Sequence, residues 1–129
     1  MDELYIEATK SSPLVKFDPK NNVLEIVGES YPENAVKFYA PMFEWLNNNL
    51  GHLNSQPLTV NLNVSYFNSS SSKALMNLFD VLEETFQKVG KITVNWLYLG
   101  ENETAQECGE EFQEDLEFLP FNLVKIENG

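Results

Sequence analysis

Residues 58–89 read LTVNLNVSYFNSSSSKALMNLFDVLEETFQKV and join a strand pattern to a helix pattern. Apolar and polar residues alternate from Leu58 to Ser65, which is typical of a strand with one buried face. Asn68 and four serines follow, where the preferred residues of a helix N-terminus are expected. Beyond them one helical face is apolar up to the stop signal at Gly90. That face consists of Leu75, Leu78, Phe79, Leu82, Phe86 and Val89.

The alternation in residues 58–65 predicts helices mainly on one face of the sheet. A parallel strand covered on both faces would be apolar at nearly every position. Here Thr59, Asn61 and Asn63 interrupt the apolar residues. Residues 91–99 alternate again, so the series strand, helix, strand predicts a right-handed crossover between parallel strands.

The other segments complete an α/β prediction. Strand patterns at 4–8, 14–17 and 23–27, with a turn at 18–22, indicate an antiparallel meander. Ser30 and Glu33 have the spacing of a capping box at the start of a helix, whose apolar positions run from Ala35 to Leu50. A third helix over 101–117 and a last strand over 121–126 follow. We therefore predict one domain over residues 1–129, with a two-layer mixed sheet of about six strands and parallel βαβ crossovers.

The composition limits the classes of partner. Twenty acidic and eight basic residues give a net charge of −12, which argues against nucleic-acid binding because such proteins neutralise phosphates with Lys and Arg. No apolar run is long enough to cross a bilayer, and no signal peptide is visible, so neither membrane insertion nor export is expected. The single cysteine, Cys108, fits a reducing compartment. We expect a cytoplasmic protein that binds other proteins.

The serine run is the strongest candidate for a modification site. A helix N-terminus carries free N–H groups and favours negative charge, and a phosphoserine adds about −1.5 to −2 charges. Lys73 lies one helical turn after Ser69. Helix capping by Ser and Asn explains the same residues without any modification, so spacing alone leaves both interpretations open.

Three segments resemble the SiaC family of bacterial regulatory phosphoproteins. Residues 66–76, YFNSSSSKALM, resemble its central motif, and residues 28–34, GESYPEN, resemble its second signature. Gly109-Glu110-Glu111-Phe112, with Asp115 and Pro120-Phe121, resembles its C-terminal part. The resemblance covers nearly the whole chain and implies a fold like that of the anti-sigma-factor antagonists, the STAS domain of SpoIIAA.

The resemblance also implies a phosphorylation switch. The hydroxyl residue directly after the Asn is modified in this family, which corresponds to Ser69 here, with Ser70 as the alternative. This chain has Ser where the members compared have Thr. The implied partners are a histidine-kinase-like Ser/Thr kinase, a PP2C-type phosphatase and, in some members, a diguanylate cyclase activated by the unmodified form. We expect partner contacts at Tyr66, Asn68, Ser70, Ser71, Lys73, Ser30, Tyr31, Pro32 and Glu33.

Two other functions remain open. The carboxylates suit a small metal-dependent hydrolase, and the fold suits an interaction module that is never modified. We predict no catalytic residue, metal or cofactor, because His52 and Cys108 cannot supply the four ligands of a structural zinc site, and no phosphate-binding glycine loop is present. The acidic helix around Glu103 to Glu117 is interpreted as a solvated face.

Overall fold

The structure, a computed structural model, describes residues 3–52 and 56–127. These residues form one six-stranded sheet and three α-helices, with a short 3-10 helix at Leu50–His52. The strands are β1 Leu4–Ile6, β2 Leu14–Asp18, β3 Val23–Ser30, β4 Leu58–Phe67, β5 Ile92–Leu99 and β6 Phe121–Ile126. The helices are α1 Ala35–Asn49, α2 Ser69–Val89 and α3 Glu103–Glu114.

The strands lie side by side in chain order. β1, β2 and β3 are antiparallel neighbours, whereas β3, β4, β5 and β6 run parallel to one another. Each parallel connection contains one of the helices α1, α2 and α3. The predicted mixed sheet, with an antiparallel meander followed by parallel crossovers, is confirmed.

The core lies between the sheet and the helices, on one face of the sheet. The even-numbered residues of β4 from Leu58 to Val64 are buried, as predicted from the alternation. The aromatic ring of Phe112 in α3 lies 5.1 Å from that of Phe79 in α2 and 5.4 Å from that of Trp96 in β5, measured between centroids. α1 packs against α2. The helices thus share one side, and the opposite side of the sheet is called the open face below.

The predicted capping box at Ser30 and Glu33 is wrong. α1 begins at Ala35, and its N-cap is Asn34, whose side chain accepts a hydrogen bond of 3.0 Å from the Lys37 N–H. Ser30 is instead the last residue of β3 and pairs with Phe67 of β4. The strand extends beyond the predicted residue 27, and its register with β4 shifts after Gly28, whose φ of 130° favours glycine.

α3 is shorter than predicted at both ends. Asn102 caps its start, because the Asn102 side chain accepts a hydrogen bond of 3.1 Å from the Ala105 N–H. After Glu114 the chain leaves the helix, and the N–H groups of residues 117, 118 and 119 all donate to one carboxylate oxygen of Glu83 on α2. The Glu117 N–H therefore bonds Glu83 instead of a carbonyl of α3, and the helix does not continue to the predicted residue 117.

Candidate functional site

The junction between β4 and α2 is organised by Asn68. The Asn68 side-chain oxygen accepts hydrogen bonds from the Ser71 N–H at 2.9 Å and from the Ser70 hydroxyl at 3.1 Å. The Asn68 N–H donates to the Ser30 carbonyl at 3.1 Å. Asn68 is therefore the N-cap of α2, and Ser69 is the first residue of the helix. This places the serine run at a helix N-terminus, as predicted.

The four serines differ in accessibility. Ser69 and Ser70 are exposed, Ser72 is half-buried and Ser71 has no exposed surface. The difference follows from helix geometry, because residues of one turn point in different directions and Ser71 points towards the sheet. An enzyme that modifies a hydroxyl in the folded protein therefore has access to Ser69 and Ser70.

Three buried hydroxyls lie directly beneath the junction. Ser30 Oγ donates to Ser71 Oγ at 2.7 Å and lies 2.7 Å from the Tyr39 hydroxyl oxygen. Since a serine hydroxyl has one proton to donate, the Tyr39 hydroxyl donates to Ser30. Burial raises the pKa of the Tyr39 phenol above its usual value, and the hydrogen bond with Ser30 offsets part of that rise. The phenol therefore remains a protonated donor at neutral pH.

Tyr31 and Tyr66 form an aromatic pair beside the junction. Their rings pack edge to face, with centroids 5.8 Å apart, and the Tyr66 residue is 53% exposed. Pro32 is half-buried next to them, and Glu33 is exposed in the turn before α1. Rigid aromatic side chains with one open face are typical of protein contact surfaces.

A groove between α1 and α2 begins at the serine run. Its volume is about 360 Å³, and its lining includes Ser70 and Lys73. The remaining lining is largely apolar and comes from both helices, with Val36, Phe43, Ala74 and Val81 among its members. The Tyr39 side chain, whose hydroxyl bonds Ser30, also lines this groove. The groove therefore adjoins the accessible serines on one side and the buried hydroxyls on the other.

The predicted site residues separate into two groups. Tyr66, Asn68, Ser69, Ser70 and Lys73 lie together at the junction, with Tyr66, Ser69, Ser70 and Lys73 exposed. Ser30 and Ser71 are fully buried and bonded to each other, so neither side chain is available to a docked protein in this structure. Tyr39 is not among the predicted site residues, because its place in an apolar helical stripe does not indicate where its hydroxyl lies.

The structure also bears on the hydrolase alternative. In residues 3–52 and 56–127, no group of three or more His, Cys, Asp or Glu side chains is arranged to hold a metal ion. The side chain of His52 lies outside the described part. Burial raises the pKa of the Cys108 thiol, and the nearby carboxylates of Glu111 and Glu107 raise it further, which makes this cysteine a poor nucleophile at neutral pH.

Among the described helices, none has the length and apolar character of a membrane span.

Comparison with known proteins identifies the family of this chain. A sequence model described as the SiaC family regulatory phosphoprotein matches residues 6–126. The chain belongs to the SiaC family. The matched range contains the Asn68 cap, the serine run and the buried hydroxyls. Membership of a family of regulatory phosphoproteins agrees with the resemblance seen in the sequence motifs.

Solved structures from Pseudomonas aeruginosa are similar to this chain. The chain is 31% identical to apo-SiaC, with a TM-score of 0.84 over 96% of this chain and 99% of that one. It is 34% identical to a chain in the crystal structure of the diguanylate cyclase SiaD in complex with its activator SiaC, with a TM-score of 0.87 over 95% of this chain and 99% of that one. It is also 36% identical to an uncharacterized protein of P. aeruginosa strain UCBPP-PA14, over 95% of this chain and 96% of that protein.

Proposed function

We propose that this chain is a non-enzymatic, cytoplasmic regulatory protein switched by reversible phosphorylation of Ser69. Its partners are a histidine-kinase-like Ser/Thr kinase, a PP2C-type phosphatase and a diguanylate cyclase. The observation that carries the proposal is the position of Ser69, which is exposed, is the first residue of α2 and directly follows the capping Asn68. Membership of a regulatory phosphoprotein family supports it.

The helix N-terminus favours the modified state electrostatically. The first N–H groups of a helix lack intrahelical partners, and the helix dipole favours an anion there by about 0.3–1 kcal/mol. A phosphate on Ser69 would add its charge at this end of α2, with the exposed Lys73 one turn further along the helix. The junction therefore accepts the phosphate group without disturbing the buried hydroxyls.

Hydrogen bonding favours Ser69 over Ser70 as the acceptor. The Ser70 hydroxyl donates to the Asn68 side chain, so modification of Ser70 would remove a contact of the residue that caps α2. Ser70 is therefore the alternative acceptor rather than the first.

The effector is expected to dock over the junction and the adjoining groove. In the relative, SiaC is the activator of the diguanylate cyclase SiaD, and we propose that the unmodified form of this chain binds a cyclase in the same way. The proposed contacts are Tyr31, Pro32, Glu33, Tyr66, Asn68, Ser70 and Lys73. A phosphate next to an apolar groove opposes docking, because the charge must be desolvated or repelled.

Site-localised mass spectrometry tests the proposal. The folded protein is incubated with its cognate kinase and ATP, and the phosphorylated peptide is sequenced by fragmentation. We expect phosphate on Ser69, loss of modification in Ser69→Ala and retention in Ser70→Ala, with Ser72→Ala as a matched control from the same run. Phosphate on Ser70 alone would contradict the choice of site, and no phosphate on either serine would leave an unmodified interaction module as the better account.

A further inference from the structure

The open face of the sheet carries little charge for a chain with a net charge of −12. Strand pairing shows which residues lie on the open face. Residues paired with Asn61 or Thr59 on the neighbouring strands point to the same side of the sheet as these two residues. Its charged side chains on the described strands are Lys16, Asp18 and Glu25, with Glu29 at the rim beyond the register shift. Lys16 lies directly opposite Glu25. Most of the acidic residues therefore lie elsewhere on the molecule.

A row of asparagines crosses the centre of the open face. Asn61, Asn95 and Asn122 are paired in register on the adjacent parallel strands β4, β5 and β6. The Asn95 amide donates to the Asn61 side-chain oxygen at 2.9 Å, and the Asn122 amide donates to that of Asn95 at 3.0 Å. Because these amides already bond each other within the sheet, covering them costs less than burying unpaired amides.

An apolar patch adjoins the asparagine row. Leu97 pairs with Val124, and Leu99 pairs with Ile126, on neighbouring strands of the same face. All four residues are half-buried. A sheet face that stays in water normally presents polar side chains, whereas depletion of charge and contiguous apolar area mark the core of a protein interface.

We propose that the open face is the contact surface of a homodimer, in which two copies pack sheet against sheet about a two-fold axis. Charge selects the second copy as occupant. A partner attracted by charge would be basic and would favour the acidic helix side, where Glu103, Glu107, Glu110, Glu111 and Glu114 lie on α3. The open face offers few negative charges to such a basic partner. Two copies that each carry a net charge of −12 repel each other least when they approach through their least charged surfaces.

The dimensions of the open face reach the lower end of the range for specific interfaces. The strands range from 3 residues in β1 to 10 in β4, and six strands about 4.8 Å apart with an average length of roughly 22 Å give a flat area of roughly 600 Å² per copy before side-chain relief is counted. Specific interfaces bury about 600–1,000 Å² per partner, and two packed sheets lie about 10 Å apart. The two copies would meet through the same patch, as a two-fold interface requires. The helix side, with Ser69 and the groove, stays accessible in this arrangement.

Sedimentation velocity of the unmodified protein tests the dimer without any partner. We expect a monomer–dimer equilibrium across micromolar concentrations, with the dimer dissociation constant falling roughly threefold or more between about 50 and 500 mM salt, because salt screens repulsion between like-charged copies. Val124→Glu and Val124→Lys should both yield monomers. One substitution introduces a negative charge and the other a positive charge, and either charge would be buried in the contact. Met76→Glu on α2, at a residue that is 45% exposed on the helix side, should leave the equilibrium unchanged.

Two results would overturn the dimer. Circular dichroism establishes that each variant is folded, and loss of the dimer in Val124→Glu but not in Val124→Lys would indicate an effect of net charge in place of a contact at this residue. A wild-type protein that stays monomeric up to about 1 mM at both salt concentrations would equally contradict the proposal. Since no kinase or cyclase is present, neither result depends on the proposed phosphorylation of Ser69.

Discussion

The hydroxyl of Ser30 donates a hydrogen bond of 2.7 Å to the hydroxyl of Ser71, and neither residue has any exposed surface. This contact joins the end of β3 to the first turn of α2. The Tyr39 hydroxyl, 2.7 Å from Ser30 Oγ, adds α1 to the same contact. The first turn of α2 is thus fixed against two other elements, which leaves Ser69 on the outside of the helix.

Removal of the Tyr39 hydroxyl tests the strength of this arrangement. Tyr39→Phe leaves Ser30 with one hydrogen-bond partner fewer in the interior, and we expect the free energy of unfolding to fall by about 1–2 kcal/mol. Urea denaturation followed by circular dichroism measures the change. Tyr5→Phe is the control, because the Tyr5 residue is 66% exposed and its replacement should change stability by less than about 0.5 kcal/mol. Equal effects of the two substitutions would show that the buried Tyr39 hydroxyl contributes nothing to the free energy of unfolding.

The same contact explains why the predicted capping box at Ser30 is wrong. Ser30 followed by Glu33 is a local pattern typical of a helix start, but the pairing of Ser30 with Ser71 joins residues 41 positions apart. A local sequence pattern cannot indicate such a long-range contact. In the structure Asn34, and not Ser30, is the N-cap of α1. The sequence did indicate α2 correctly, because its apolar stripe and its caps at Asn68 and Gly90 are local features.

The open face shows a similar division between what sequence patterns predict and what they miss. Alternation in β4 correctly predicted that helices cover one side only, since Asn61 and Asn63 are polar. The bonding of Asn61 to Asn95 depends on parallel register, which alternation does not specify. The candidate site itself was predicted from the serine run, whereas the burial of Ser71 required the packing of α2 on the sheet.

Gly109 is expected to tolerate no side chain. An added Cβ would lie 2.5 Å from Trp96 Cδ1 and 2.8 Å from Leu123 Cδ2, so α3 packs on the sheet only because this position lacks one. Gly109→Ala should lower the free energy of unfolding by about 1–3 kcal/mol through overpacking, despite the better helix propensity of alanine. Chemical denaturation measures the change.

Gly51 supplies the matched control for that substitution. An added Cβ at Gly51 meets no described heavy atom within 4 Å, so Gly51→Ala should be nearly neutral. If Gly109→Ala were as stable as the wild type, the close packing of α3 against Trp96 would not hold.

Glu83 should stabilise the loop between α3 and β6. One of its carboxylate oxygens accepts from the N–H groups of Glu117, Phe118 and Leu119 at 3.0 to 3.1 Å. Glu83→Ala should therefore cost about 1–3 kcal/mol of stability, and Glu83→Gln should cost less because its amide oxygen still accepts. Hydrogen exchange of the loop amides, measured by NMR, should speed up in Glu83→Ala.

The neighbouring Glu84 offers a control on the same helix. It forms an ion pair with Lys88 at 3.6 Å, in which both side chains are more than 70% exposed, and such pairs contribute little. Glu84→Ala should leave loop exchange unchanged. Equal exchange rates in the Glu83 and Glu84 variants would contradict the role of Glu83.

Cys108 should react slowly with thiol reagents. Burial is the main cause of its raised pKa, followed by the carboxylates of Glu111 and Glu107. A raised pKa lowers the thiolate fraction at a given pH, so the pH midpoint for alkylation by iodoacetamide should lie above the value near 8.5 of a free cysteine. Glu111→Gln removes one negative charge and should shift that midpoint downward, whereas Glu114→Gln should not. Identical midpoints in both variants would exclude the charge effect.

The switch itself is tested most directly by one binding measurement on defined protein. Phosphoserine is incorporated at position 69 during synthesis, and the affinity for the cognate diguanylate cyclase is measured by calorimetry beside the unmodified protein and a sample restored by phosphatase treatment. We predict that phosphoserine at 69 weakens binding at least about tenfold, or roughly 1.4 kcal/mol, and that dephosphorylation restores it. Equal affinities for the phosphorylated and unmodified forms would contradict the account.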